Sequence, residues 1–125
     1  MTSGLIDCHW HETLVSVSQI AALTQDIAFV HLVAGQEAGA TLLRGFTTVR
    51  DTGGPVFGLK MAIDRSVVAG PRDPYMGRLG VSAEGAHADI LVWDGGPETV
   101  LSFLDDPANN LRLVMKGGRV FKETL

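Results

Sequence analysis

Leu5-Ile6-Asp7-Cys8-His9-Trp10-His11 and, after a helical interval, Phe46-Thr47-Thr48-Val49-Arg50-Asp51 are the two stretches that decide the fold. The first has an apolar lead-in and the second is rich in β-branched residues, so both read as strands. On a strand, residues i and i+2 point to one face. His9 and His11 therefore share a face, and both imidazoles reach toward one metal ion at the strand end. Between the strands, Ile20, Leu23, Ile27, Val30, Val33 and Ala34 recur at three- and four-residue spacing. They predict helix from about Ser18 to Arg44, with Ser18 as N-cap and Gly45 as the stop. Gly35 and Gly39 weaken its middle, so two helical pieces are expected as an alternative to one.

After the second strand, Thr52-Gly53-Gly54-Pro55 reads as a βα turn. It lacks the Lys-Ser/Thr of a phosphate-binding P-loop and the spacing of a dinucleotide fingerprint. A second helix is predicted over Val56 to Val68, with Leu59, Ile63 and Val67 on one face, ending at Ala69-Gly70-Pro71. Strand, helix, strand, helix at this spacing is the pattern of parallel βαβ architecture. The pattern then changes. Asp73 to Gly77 is a poorly patterned joint, and Gly80 to Gly85 is turn-rich. Ile90-Leu91-Val92-Trp93 is a strand closed by Asp94-Gly95-Gly96-Pro97, and a short helix is expected over Glu98 to Leu104. Leu111 to Met115 and Arg119 to Phe121 flank Lys116-Gly117-Gly118 as a hairpin, because Gly-Gly supplies the positive φ of its turn. The expected fold is α/β (α+β overall), with a βαβα segment over 1–76 and a C-terminal β unit over 77–125 packed with it.

The chain has 125 residues, the length of one small domain. Hydrophobic residues at 46% and charged residues at 19% support a packed core. A net charge of −4 without a basic cluster argues against nucleic acid or an anionic membrane as partner. Cys8 stands alone, which excludes an intramolecular disulfide framework and fits a reducing cytoplasm. No signal peptide is evident, and no apolar run approaches the roughly 18 residues of a spanning helix.

Several of these segments together resemble the amidohydrolase superfamily, in its imidazolonepropionase-like and prolidase-like branch. Gly4 through His11 is similar to the strand-1 signature, and Ala38 through Asp51 to the strand-2 region. Gly58 through Arg72 continues the likeness, while Gly80 through Val92 and Asn110 through Val120 resemble the return to the small β-sandwich. The resemblance implies a metal-dependent (β/α)₈ barrel hydrolysing C–N and related bonds, in which His9 and His11 are metal ligands. A barrel alone takes roughly 250 residues. The two βα units thus resemble the start of a barrel joined directly to a sandwich remnant. The metal-bridging lysine or its equivalent, two further histidines, the last-strand aspartate and the N-terminal sandwich strands are expected to be missing.

A catalytic zinc takes about three protein ligands and an open position. His9 and His11 supply two. Glu12 or Asp51, near the ends of adjacent strands, is the candidate third; the alternative is a metal-free pair, half-buried or facing a new interface. Asp51 reads either as a base beside a metal-bound water, or as an ion-pair partner of Arg50 or a helix cap near Gly53. His31, within the first helix, is expected to be structural, as is His87 by resemblance. Cys8 is expected to be a small core residue. No catalytic residue is assigned, and no cofactor other than zinc.

An unclosed barrel leaves a strand edge and apolar faces without neighbours, with Leu5, Ile6, Phe46 and Val49 needing new cover. The cover comes either from the C-terminal strands packing onto this unit or from another copy; the expected partner is a second copy in a homo-oligomer, for which domain swapping is an economical route. Three functions follow: an amidohydrolase-like hydrolase that is inactive or weakly active as this chain, a non-enzymatic self-associating remnant, or a metal-binding module completed across subunits by His9 and His11.

Overall fold

The structure is a computed structural model and describes residues 1–73, 85–95 and 101–125. The expected joint after Asp73, most of the turn-rich 80–85 stretch and the start of the helix expected at 98–104 lie outside the described residues. The chain is mixed α/β, with two sheets and helices against them.

β2 (Leu5–Trp10) and β3 (Phe46–Asp51) pair in parallel, with Leu5 opposite Phe46 and Trp10 opposite Asp51. Beyond β3, Arg72 forms a parallel bridge with Thr48. The Val49 N–H donates to the Arg72 carbonyl at 2.8 Å, and the Arg72 N–H donates to the Thr47 carbonyl at 2.9 Å. The helix expected from Ser18 to Arg44 is two helices, α2 (Gln19–Thr24) and α3 (Ile27–Leu43). The Ser18 hydroxyl caps the first, as expected, by accepting from Ala21 N–H. The break falls at Gln25-Asp26, not at the glycines. Gln25 is extended, and the Asp26 carboxylate takes the Ala28 N–H at 2.8 Å, so it caps a new helix. Gly35 and Gly39 stay inside α3. A Cβ on Gly35 would sit in ordinary contact with Val68 and Leu59, so the helix approaches α4 closely there.

A short helix, α1 (Glu12–Val15), follows β2 directly and was not foreseen. α4 (Phe57–Asp64) buries Leu59 and Ile63 against Ala34 and Ala38 of α3, with Trp10 and Val68 at the border. Val67 does not join that face. The helix stops at Asp64 because Ser66 turns to φ 58°, and Val67 is left 75% exposed.

The second sheet is antiparallel, in the order β1 (Thr2–Ser3), β4 (Ile90–Trp93), β5 (Leu111–Lys116), β6 (Arg119–Glu123). The expectation that no N-terminal strand joins this sheet is corrected by β1, which pairs Thr2 with Leu91 and Ser3 with Ile90. A two-residue strand carries no periodicity to read. The β5–β6 hairpin turns at Gly117 and Gly118 (φ 56° and 79°), as expected. A 3₁₀ turn over Leu101–Asp105 and a helix, α5 (Pro107–Asn110), precede β5. Leu42, from the last turn of α3, inserts among Leu91, Trp93, Leu111 and Val114, with Leu5 and Phe121 packed against them. No helix among the described residues is long and apolar enough to cross a membrane.

Gly4 is where the chain leaves one sheet for the other. A Cβ there would lie 2.0 Å from Thr47 Oγ1, too close for any side chain. Gly4→Ala is expected to destabilise the fold by about 1–3 kcal/mol through this overlap. Adding Thr47→Ala removes the nearest atom and should return part of the loss. Urea unfolding of the single and double variants checks this, and an unchanged midpoint for Gly4→Ala would refute the steric reading.

Candidate metal centre

β2 delivers His9 to its exposed face, and the chain then turns into α1 with His11 at the helix cap position. The two imidazoles meet edge to face with ring centroids 5.0 Å apart, and their Nε2 atoms are 3.2 Å apart. The sequence spacing therefore brings together the pair it pointed to. His11 Nδ1 lies 3.3 Å from the Gly53 carbonyl, which only accepts, so Nδ1 carries the proton and Nε2 presents its lone pair. A Cβ at Gly53 would lie in ordinary contact with the His11 ring at 3.5 Å, so the turn packs closely against the imidazole. The Thr52 hydroxyl lies 3.0 Å from the same Nε2 and 3.3 Å from the Trp10 carbonyl. It donates to one or the other.

Two nitrogens held by one tetrahedral zinc at 2.0–2.1 Å lie about 3.3 Å apart, close to the separation seen here. The pair fits half of such a centre. A whole one does not fit: among the described residues no three His, Cys, Asp or Glu side chains converge. Asp51 does not serve as the third ligand in this arrangement. Its Oδ2 accepts from the Glu12 N–H at 3.0 Å and its Oδ1 from the Gly53 N–H at 2.9 Å, so it ties the end of β3 to the start of α1. Arg50 turns away from it and donates to the Cys8 carbonyl.

Glu12 points inward. It is fully buried, and neither carboxylate oxygen has a hydrogen-bond partner among the described residues. It lines a cavity of about 20 Å³ together with Trp10, Val49, Asp51 and Asp73, room for about one water. Burial, reinforced by the negative charges of Glu37 and Asp51 and opposed by Arg44, pushes its pKa from 4.5 up to about 8. Burial likewise pushes the Asp73 carboxyl up, against the charge of Lys60. The candidacy of Glu12 as a ligand came from its place at a strand end, but the side chain belongs to the helix-facing layer.

The remaining residues singled out in the sequence lie away from the histidine pair or outside its contacts. His31 sets its two ring nitrogens 2.9 Å from the Ile27 and Pro55 carbonyls, fastening α3 to the turn before α4. His87 is exposed, and its carbonyl accepts from the Asp89 N–H. Cys8 is exposed rather than in the core, because β2 is the outer strand of its two-stranded sheet. Sequence reasoning did not find the pair of Arg72 with Asp89. Both terminal guanidinium nitrogens donate to the carboxylate, one of them at 2.8 Å, and the Gly117 N–H joins at 2.8 Å. Burial alone would raise the Asp89 pKa, but these bonds and the Arg72 charge hold it below the usual carboxylate range.

Solved structures resemble part of this chain. The chain is similar to an amidohydrolase at 39% identity and a TM-score of 0.52, over 57% of this chain and 17% of that one. It is similar to a prolidase complexed with N-methylphosphonate-L-proline at 38% identity and 0.51, again over 57% and 17%. The likeness to the ochratoxinase of A. niger, at 24% identity and 0.50 over the same shares, concerns the fold alone. The chain therefore spans less than a fifth of the length of these structures. No family model and no curated protein matches it. The resemblance to the amidohydrolase superfamily holds over that share of the chain.

Glu12 makes stability depend on pH with a definite sign. Its folded pKa is raised, so the neutral form favours the fold. That contribution is complete below pH 4.5 and is lost as pH rises toward about 8. Glu12→Gln should leave the urea midpoint near its original value at pH 4.5 and raise it increasingly up to pH 8. Parallel pH profiles for the two proteins would show that Glu12 is not held neutral.

Proposed function

We propose that this chain is a hydrolase-type protein of the amidohydrolase kind, derived from enzymes that use metal to hydrolyse C–N bonds. As it stands it carries half of their metal centre and the first βα units of their barrel. The observation that supports this reading is the convergence of the His9 and His11 Nε2 atoms at 3.2 Å, with the His11 tautomer set by the Gly53 carbonyl. Bound zinc would supply a Lewis acid and an activated water. His9 and His11 are the residues that would hold it. With two ligands where about three are needed, the chain alone binds zinc weakly and does not turn over amide, lactone or dipeptide substrates. Its setting is cytoplasmic, in keeping with a single exposed thiol, and neither nucleic acid nor membrane is among its partners.

Isothermal titration with zinc should give weak binding that disappears in both His9→Ala and His11→Ala. Amidase, lactonase and dipeptidase assays with added zinc should show no turnover above the buffer rate. Robust turnover abolished by His9→Ala would overturn the view that the centre is incomplete.

A second reading is favoured by the exposure of His9 and by the free edge of β2, whose other side has no strand among the described residues. A second copy of the chain, swapped or paired along that edge, brings a second histidine pair and a four-nitrogen site. Size-exclusion chromatography with and without zinc separates the possibilities. Dimerisation driven by zinc and lost in His9→Ala supports the shared site. A dimer indifferent to both zinc and His9→Ala supports a self-associating, non-enzymatic protein, for which the exposed Ile20, Leu23 and Leu32 offer apolar surface. A monomer under all conditions counts against both.

A further inference from the structure

A separate concavity of about 460 Å³ lies between the end of α4, the 66–72 segment and the β5–β6 hairpin. It shares no lining residue with the histidine pair. Three cations line it, Arg72, Lys116 and Arg119, against one anion, Asp64. The charges are not balanced within it. Arg72 is occupied by Asp89, and Asp64 is held by Lys60 at 2.7 Å. Lys116 and Arg119 have no ion-pair partner among the described residues. The Lys116 ammonium uses one donor on the Gly70 carbonyl and keeps two. Arg119 lies over the Phe121 ring, 5.2 Å from its centroid, and among the described residues its guanidinium donors have no side-chain hydrogen-bond partner.

Lys116 is also in an uncomfortable place for a cation. Burial, then the like charge of Arg72, pushes its pKa from 10.5 down to about 8, although Asp89 and Asp64 pull the other way. A half-buried cation with no direct ion-pair contact among the described residues is stabilised by an anion that reaches it, and such charge-assisted bonds are strong. Val67, Val68 and Phe121 add an apolar wall, and the volume suits a small organic molecule.

We propose that this cleft binds a small organic oxyanion, a carboxylate or a phosphate ester, with its charged head on Lys116 and Arg119 and its apolar body against Val67 and Phe121. The proposal does not depend on the hydrolase reading, since the two sites use different residues and different chemistry.

The test is an NMR titration of the ¹⁵N-labelled full chain with benzoate, phenyl phosphate and inorganic phosphate. The expected result is saturable binding of benzoate or phenyl phosphate, with a dissociation constant on the order of 1 mM or tighter. Shifts should concentrate at residues 63–72 and 116–121, and inorganic phosphate should bind more weakly than phenyl phosphate. Whichever aromatic probe binds more tightly identifies the head group. Lys116→Met, which keeps the apolar stem, and Arg119→Ala should each weaken binding about tenfold. His9→Ala should leave it unchanged. Arg119 is exposed, so its variant keeps the test decisive if Lys116→Met does not fold. Absence of saturable binding to all three probes, affinity unchanged in both charge variants, or loss of binding in His9→Ala would overturn the proposal.

Discussion

The pairing of Arg72 with Asp89 is the constraint on which the rest of the structure hangs. Arg72 belongs to the parallel layer through its backbone, which bridges to Thr48 and exchanges hydrogen bonds with Thr47 and Val49. Its side chain leaves that layer and grips Asp89 just ahead of β4, and Asp89 in turn holds the hairpin through the Gly117 N–H. One buried ion pair thus fixes two sheets and a turn against each other. Removing one partner of such a pair strands the other charge away from water, which is why its geometry is so fully satisfied. The same clamp occupies Arg72, and so it leaves Lys116 and Arg119 as the cations of the neighbouring cleft without an ion pair among the described residues.

The two faces of the β2–β3 layer are treated very differently. One is covered by α3 and α4, whose small residues Ala34 and Ala38 allow close packing with Leu59 and Ile63. The other carries His9, exposed at an outer strand. Burial on the covered side reaches as far as Glu12, a carboxyl kept away from water without a hydrogen-bond partner among the described residues. Ionising it there is costly, so the layer that organises the histidines also carries a proton-dependent weakness. Asp51 links these features. It spends both carboxylate oxygens on the N–H groups of Glu12 and Gly53, and Gly53 orients His11.

Much of this was legible from local pattern. The strands at Leu5 and Phe46, the Ser18 cap, the buried Leu59 and Ile63, and the Gly-Gly hairpin all follow from periodicity and turn chemistry. The meeting of His9 and His11 was expected from the two-residue period of a strand, but His11 lies just past β2 at the cap of α1, where the Gly53 carbonyl also positions it. The misreadings have local causes of another kind. Two glycines within a helix look like a weak point, yet the break comes where Asp26 offers a better cap. Val67 continues a three- and four-residue pattern that Ser66 interrupts by adopting a left-handed backbone, which its residue type does not advertise. Cys8 looks like core until the number of strands beside it is known.

By itself, then, the sequence determined the longer strands, the helical stretches and most of the side chains that share a face, since these depend on residue types a few positions apart. It determined that two imidazoles would converge, and it carried the resemblance that gives their convergence a chemical meaning. Only the tertiary structure decided what surrounds them. That Asp51 is spent on backbone N–H groups, that Glu12 turns into the helix layer, and that Arg72 is claimed by Asp89 while Lys116 is not, all depend on contacts between residues far apart in the chain. Such polar contacts join residues distant in sequence, and unlike the apolar faces of helices and strands they leave no periodic trace.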